Sequence, residues 1–156
     1  MKIKTLAAIM LSGLVLLLGA CSTANNAADN TTNVVPENHQ VVVTDQEFNG
    51  TSDIAKQIEV KAGDNVTITL DSNGTTGFSW TEQAVISDES ILTQTGHQYI
   101  EPQTEGNVPL VGAGGTEKWT FQTVTAGTVK VTLSYDRPWE GGEKGVRTFE
   151  LTVVVK

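Results

Sequence analysis

The sequence has one cysteine and two histidines among its 156 residues, and only 6% aromatics. A single cysteine cannot close an intramolecular disulfide, so stability must come from a hydrophobic core, which a chain of this length can bury. His39 and His97 are far apart, with no cysteine or paired-carboxylate motif beside either, so no metal-ligand spacing stands out. Both read as solvated surface histidines. Basic residues are also few: 10 Lys and Arg stand against 18 Asp and Glu, a formal charge of −8. That balance argues against nucleic acid or an anionic lipid surface as a partner. The acidic residues are scattered and read as solubilising surface charge. There is no Gly-x-Ser-x-Gly elbow, no Ser-x-x-Lys setting and no glycine-rich loop leading into a helix. The expectation is a protein that is not an enzyme and needs no cofactor or metal.

Long apolar runs are equally scarce. The one present, Leu6 to Leu18, is interrupted by Ser12 and Gly13 and follows Lys2 and Lys4. It falls short of the roughly 20 residues of a bilayer span and has the flanks of a signal-peptide core. It ends in Leu18-Gly19-Ala20-Cys21, which resembles the lipobox of bacterial lipoproteins. The resemblance implies cleavage after residue 20 and a lipid on Cys21, and with it a lipid-anchored place in a bacterial cell envelope. An outer-membrane destination is compatible with Ser22. An ordinary signal peptide with a free cysteine is the alternative. Removal of residues 1–20 leaves eight basic residues against eighteen acidic ones. Residues 21–39 are small and polar with little to bury, and read as a disordered tether reaching on the order of 20–25 Å.

Residues 40–156 change character. Val66, Ile68 and Leu70 alternate with Thr67 and Thr69; Trp119 and Phe121 alternate with Thr120 and Gln122; Val129 to Tyr135 and Phe149 to Val155 continue the period of two. Such alternation predicts half-buried antiparallel strands, and the Val, Ile, Thr and aromatic content suits them. Asp88 to Leu92 is the one place where a helical turn is expected. Seven to eight short strands separated by Gly and Asn turns predict an all-β, immunoglobulin-like antiparallel sandwich, with a small barrel as the structural alternative. The domain is expected to be a monomer.

Three junctions carry unusual chemistry. Asn73-Gly74-Thr75-Thr76-Gly77-Phe78 is longer than an Asn-Gly hairpin turn requires. Gly112-Ala113-Gly114-Gly115 precedes the Trp119 strand and offers bare backbone to a neighbouring chain. Arg137-Pro138-Trp139 stands outside the alternation, which predicts an exposed tryptophan beside an arginine, a pairing typical of binding hot spots.

In this order and at these junctions, the three motifs resemble the chagasin family of inhibitors of papain-like cysteine proteases. That family carries Asn-Pro-Thr-Thr-Gly-Phe/Tyr, Gly-x-Gly-Gly and Arg-Pro-Trp/Phe. Asn73, Thr75, Thr76, Gly77, Phe78, Gly112, Gly114, Gly115, Arg137, Pro138 and Trp139 match, and Gly74 stands where the family usually has proline. The resemblance covers about residues 40–156. It implies an immunoglobulin-like fold whose three loops form a wedge for a protease cleft, with a papain-like cysteine protease as partner. The alternatives on sequence are an envelope or adhesion module of the same fold and a small-ligand carrier.

Overall fold

The computed structural model describes residues 35–102 and 112–156. The expected signal segment, Cys21 and most of the expected tether lie outside the described residues. Nine strands form among the described residues: β1 (Asn38–Val43), β2 (Asp53–Val60), β3 (Asn65–Ser72), β4 (Ser79–Trp80), β5 (Val85–Ile86), β6 (Leu92–Ile100), β7 (Gly115–Thr123), β8 (Gly127–Asp136) and β9 (Arg147–Val155). One sheet has the order β1-β3-β7-β6; the other has β2-β9-β8, with β4 and β5 both pairing with β8. The two sheets make an unclosed immunoglobulin-like sandwich, as the alternation predicts. Two edge pairs, β1 with β3 and β2 with β9, are parallel rather than antiparallel. The chain crosses between the sheets from β1 to β2 and back to β3, so each edge strand lies beside one that runs the same way. β1 also begins at Asn38, inside the expected tether.

The inward residues of the alternating runs meet between the sheets. Val66, Ile68 and Leu70 face Trp119 and Phe121 within one layer, and Val129, Val131, Leu133, Phe149, Leu151 and Val153 supply the other; all are buried. Trp80 and Trp119 are buried too, and each keeps its indole N–H satisfied, Trp80 by Asp71 O at 2.9 Å and Trp119 by Glu82 O at 3.1 Å. Asp88 accepts from the amides of Ile91 and Leu92 in the turn before β6.

The histidines and two of the acids are not solvated surface groups. His39 Nε2 lies 3.0 Å from Asp64 Oδ2, and His97 Nε2 lies 2.9 Å from Glu117 Oε2. Asp64 and Glu117 are buried. Carboxylates survive there because donors converge on them. Asp64, in the β2–β3 turn, accepts from the amides of Glu37 and Lys61, both at 2.9 Å, as well as pairing with His39.

These bonds hold the Asp64 carboxyl at about 2, below its ordinary 3.8; the Glu37 amide contributes most, then Lys61, with burial opposing and His39 adding a smaller part. A depressed carboxylate stabilises the fold above its unfolded value and loses that contribution as pH falls through the folded one. The stabilisation, about 2 kcal/mol, is therefore complete at neutral pH and disappears between roughly pH 4 and pH 2. Asp64→Asn is expected to lower neutral-pH stability by about that amount and to converge on the wild type near pH 2. Denaturant melts at the two pH values measure it.

Candidate functional site

The first motif does not join two paired strands. It leaves β3 in one sheet and enters β4 in the other, which is why it is longer than a hairpin turn. Asn73 caps a single 3₁₀ turn over Gly74–Thr76. Its Oδ1 accepts the Thr75 amide at 3.2 Å and the Thr75 hydroxyl at 2.6 Å. The Thr76 hydroxyl donates to Asn73 O at 2.7 Å. Gly77 closes the turn in the left-handed region at φ 78°, its N–H donating to Gly74 O at 3.1 Å. An asparagine, two threonines and a glycine therefore hold the loop in shape with bonds of their own. Thr75 and Thr76 remain exposed at its tip.

Gly74 is the first residue of that turn, and open space surrounds the point where a side chain would begin. Proline suits the first helical position, where no amide bond is lost. Gly74→Pro is expected to raise stability by about 0.5–1 kcal/mol by restricting the unfolded chain. A thermal melt checks this.

The glycine motif flanks this loop on one side. Asn73 Nδ2 donates to Gly112 O at 3.4 Å. Gly114 lies so close to the root of the loop that a Cβ there would stand 3.0 Å from Ser72 O. Gly112 adopts φ 82° with open space around it, and Ala113 between them is half-buried. Gly115 differs from its neighbours. It is buried in β7, and a Cβ would collide with Ile100 O and lie 2.7 Å from Tyr99 Oη. Internal packing demands this glycine.

The third motif flanks the other side. Pro138 is exposed, and Trp139 is 52% exposed with its ring edge over Gly77, where a Cβ would come within 2.9 Å of Cη2. The Arg137 guanidinium lies 4.4 Å from the Phe78 ring centroid and 5.8 Å from that of Trp139. Phe78 in turn stacks on Tyr135 at 5.6 Å. Arg137 Nε is buried without a hydrogen-bond partner, so this side chain braces the loop through its cation–π contacts. The loop is tied to itself by the Arg137 amide to Glu143 O at 2.8 Å and by Lys144 Nζ to Arg137 O at 2.6 Å.

The central loop thus touches each of the other two motifs at one end of the sandwich. Sequence reasoning misses what lies beneath them. Glu117 Oε1 accepts from the Ser72 hydroxyl at 2.7 Å and the Trp80 amide at 3.0 Å. The Tyr135 hydroxyl accepts from the Asn73 amide at 3.0 Å. A signal does exist for Glu117: it sits in phase with Trp119 and Phe121 on the inward face of β7. Among the described residues one group, Glu37, His39 and Asp64, places three ligand-capable atoms within 4.8 Å of one another. It lies beyond the other end of β3, and Asp64 is already occupied by its N–H donors. The loop cluster itself pairs no nucleophile with a base. It presents an indole, two threonines and exposed backbone.

The family model described as Chagasin family peptidase inhibitor matches residues 59–153. Chagasin of Trypanosoma cruzi is 39% identical over 87 residues, covering 54% of this chain and 74% of that protein. Amoebiasin-2 of Entamoeba histolytica is 26% identical over 99 residues, covering 64% and 76%. The crystal structure of a cysteine protease inhibitor from Entamoeba histolytica superposes with a TM-score of 0.58 at 20% identity, covering 78% of this chain and all of that one, a likeness of fold. These relatives overturn the bacterial-envelope location expected from the Leu-Gly-Ala-Cys segment; Cys21 itself lies outside the described residues. Both sequence relatives are eukaryotic. Among the described residues, no helix is long and apolar enough to cross a membrane.

Proposed function

This chain belongs to the chagasin family of peptidase inhibitors, and from that premise we propose that it is a reversible, competitive inhibitor of papain-like cysteine proteases that blocks the active-site cleft with three loops. It is an inhibitor, not an enzyme. The observation that carries the three-loop reading is mutual contact: Gly112 and Gly114 against Asn73 and Ser72 on one side, Trp139 against Gly77 on the other.

In this reading Asn73 to Phe78 enters the cleft over the catalytic Cys–His pair. Thr75 and Thr76 occupy the place of a scissile bond. They do so in a 3₁₀ turn whose Asn73 and Gly74 carbonyls already accept donors from within the loop. A coiled segment of that kind does not offer the thiolate an extended peptide to cleave. Gly112, Ala113 and Gly114 run along one wall, where absent or small side chains permit close backbone approach. Trp139 packs on the opposite wall, while Phe78 and Arg137 support it from below. Such a complex would bury about 800 Å² on each partner.

The test is titration of papain and several related proteases with the purified protein. Inhibition at micromolar concentration or below, relieved by excess substrate, is expected. Its absence across the whole panel would overturn the proposal.

A further inference from the structure

We propose that Glu117 is the positioning residue of the inhibitory end, acting through the two roots of the central loop. The inference rests on the inhibitor reading and names a residue that touches no partner.

β3 and β4 lie in different sheets, so no ladder bond joins the two ends of the loop between them. One oxygen does. Glu117 Oε1 accepts from Ser72, the last residue of β3, at 2.7 Å and from the Trp80 amide in β4 at 3.0 Å. The other oxygen lies 2.9 Å from His97 Nε2 on β6. A single buried carboxylate therefore spans both layers at the end where the loops emerge. The remaining direct tie between the roots is the Trp80 indole N–H to Asp71 O, at 2.9 Å.

Energetics point the same way. Glu117 is 3% exposed and occupies an inward position between Gly115 and Trp119. Burying a charge there is expensive, and a well-packed apolar side chain is often as stable or more so. What an apolar residue could not supply is an acceptor shared by Ser72 and Trp80. Glu117 is also two positions from Gly115, so the strand that delivers the glycine loop sets the central loop as well. Tyr135 repeats the pattern from β8. It takes the Asn73 amide and lies two positions before Arg137. The central loop is thus keyed from both neighbouring strands.

The test compares the wild type with Ser72→Ala, Glu117→Gln and Trp139→Ala. Inhibition of papain and backbone amide exchange are measured at a temperature where every variant is folded. Ser72→Ala removes one bond at the loop root and leaves the carboxylate in place. It is expected to weaken inhibition about tenfold and to speed exchange of the Thr76 and Gly77 amides, with the β7 amides unchanged. Glu117→Gln keeps an acceptor oxygen for Ser72 and Trp80 and is expected to retain inhibition and loop protection even if its melting temperature falls. Ser72→Ala with wild-type inhibition and wild-type loop exchange would overturn the proposal. So would Glu117→Gln losing inhibition while the Thr76 and Gly77 amides keep wild-type exchange. Trp139→Ala should weaken inhibition while leaving loop-root exchange untouched. If the wild type inhibits no protease, the inhibitor reading fails, and amide exchange still decides whether Glu117 positions the loop.

Discussion

Trp139→Ala is expected to weaken inhibition of a papain-like protease about 30-fold or more, the equivalent of about 2 kcal/mol, with little change in thermal stability. The separation of the two effects follows from where the ring sits. Trp80 and Trp119 are 1% and 0% exposed, whereas Trp139 is 52% exposed and outside the core cluster. Truncating a core tryptophan costs about 3–5 kcal/mol of stability. Trp139 touches Gly77 and approaches Arg137, both in the loops, so its loss leaves the two sheets intact. On binding, its free surface is what a partner can cover. A rigid aromatic with few rotatable bonds loses little entropy when it docks. Inhibition titrations and thermal melts on the same preparation check the result. A large fall in melting temperature with unchanged inhibition of the folded fraction would make Trp139 a structural residue.

The sandwich and the loop cluster were legible because each rests on local pattern. Period-two alternation places Val66, Ile68, Leu70, Trp119, Phe121 and the runs beginning at Val129 and Phe149 on inward faces, and all are buried. Trp139 breaks that phase, and it is exposed. Alternation reports which face a residue takes and says nothing of which strand lies alongside, so the parallel edges β1 and β2 were not visible. β5 has two residues, too few for any period. β6 is an edge strand whose register shifts between Gln94 and Gly96, which breaks its alternation and let His97 read as surface. Glu117 was hidden for a different reason. Its burial depends on Ser72, Trp80 and His97, which lie 45, 37 and 20 positions away. Nothing near Glu117 announces those donors. The glycine motif shows the same limit. Gly112, Gly114 and Gly115 look alike as text, yet one has a positive φ, one lies against Ser72 and one packs beneath Tyr99.

Gly77→Ala should be the most damaging single change in the loop cluster, with inhibition falling about 100-fold, near 3 kcal/mol, while both sheets remain folded. Two independent costs meet at this position. Its φ of 78° lies in the left-handed region, where a Cβ costs about 1–2 kcal/mol. A Cβ would also stand 2.9 Å from Trp139 Cη2 and 3.4 Å from Cζ3. Relief requires either that the indole moves off the central loop or that the turn gives up its Gly77 amide bond to Gly74. Both changes deform the surface that would meet the protease, and neither reaches a strand ladder. Gly74→Ala is the control: open space surrounds that position and its φ is not positive, so inhibition should change less than about threefold. The double variant with Trp139→Ala separates the two costs. Removing the indole abolishes the collision and leaves the backbone strain, so the two losses should sum to less than their separate values. Full additivity would mean that Gly77 and Trp139 serve the interface separately. Coupling would mean that the contact between them, one side chain resting where another is missing, shapes the wedge.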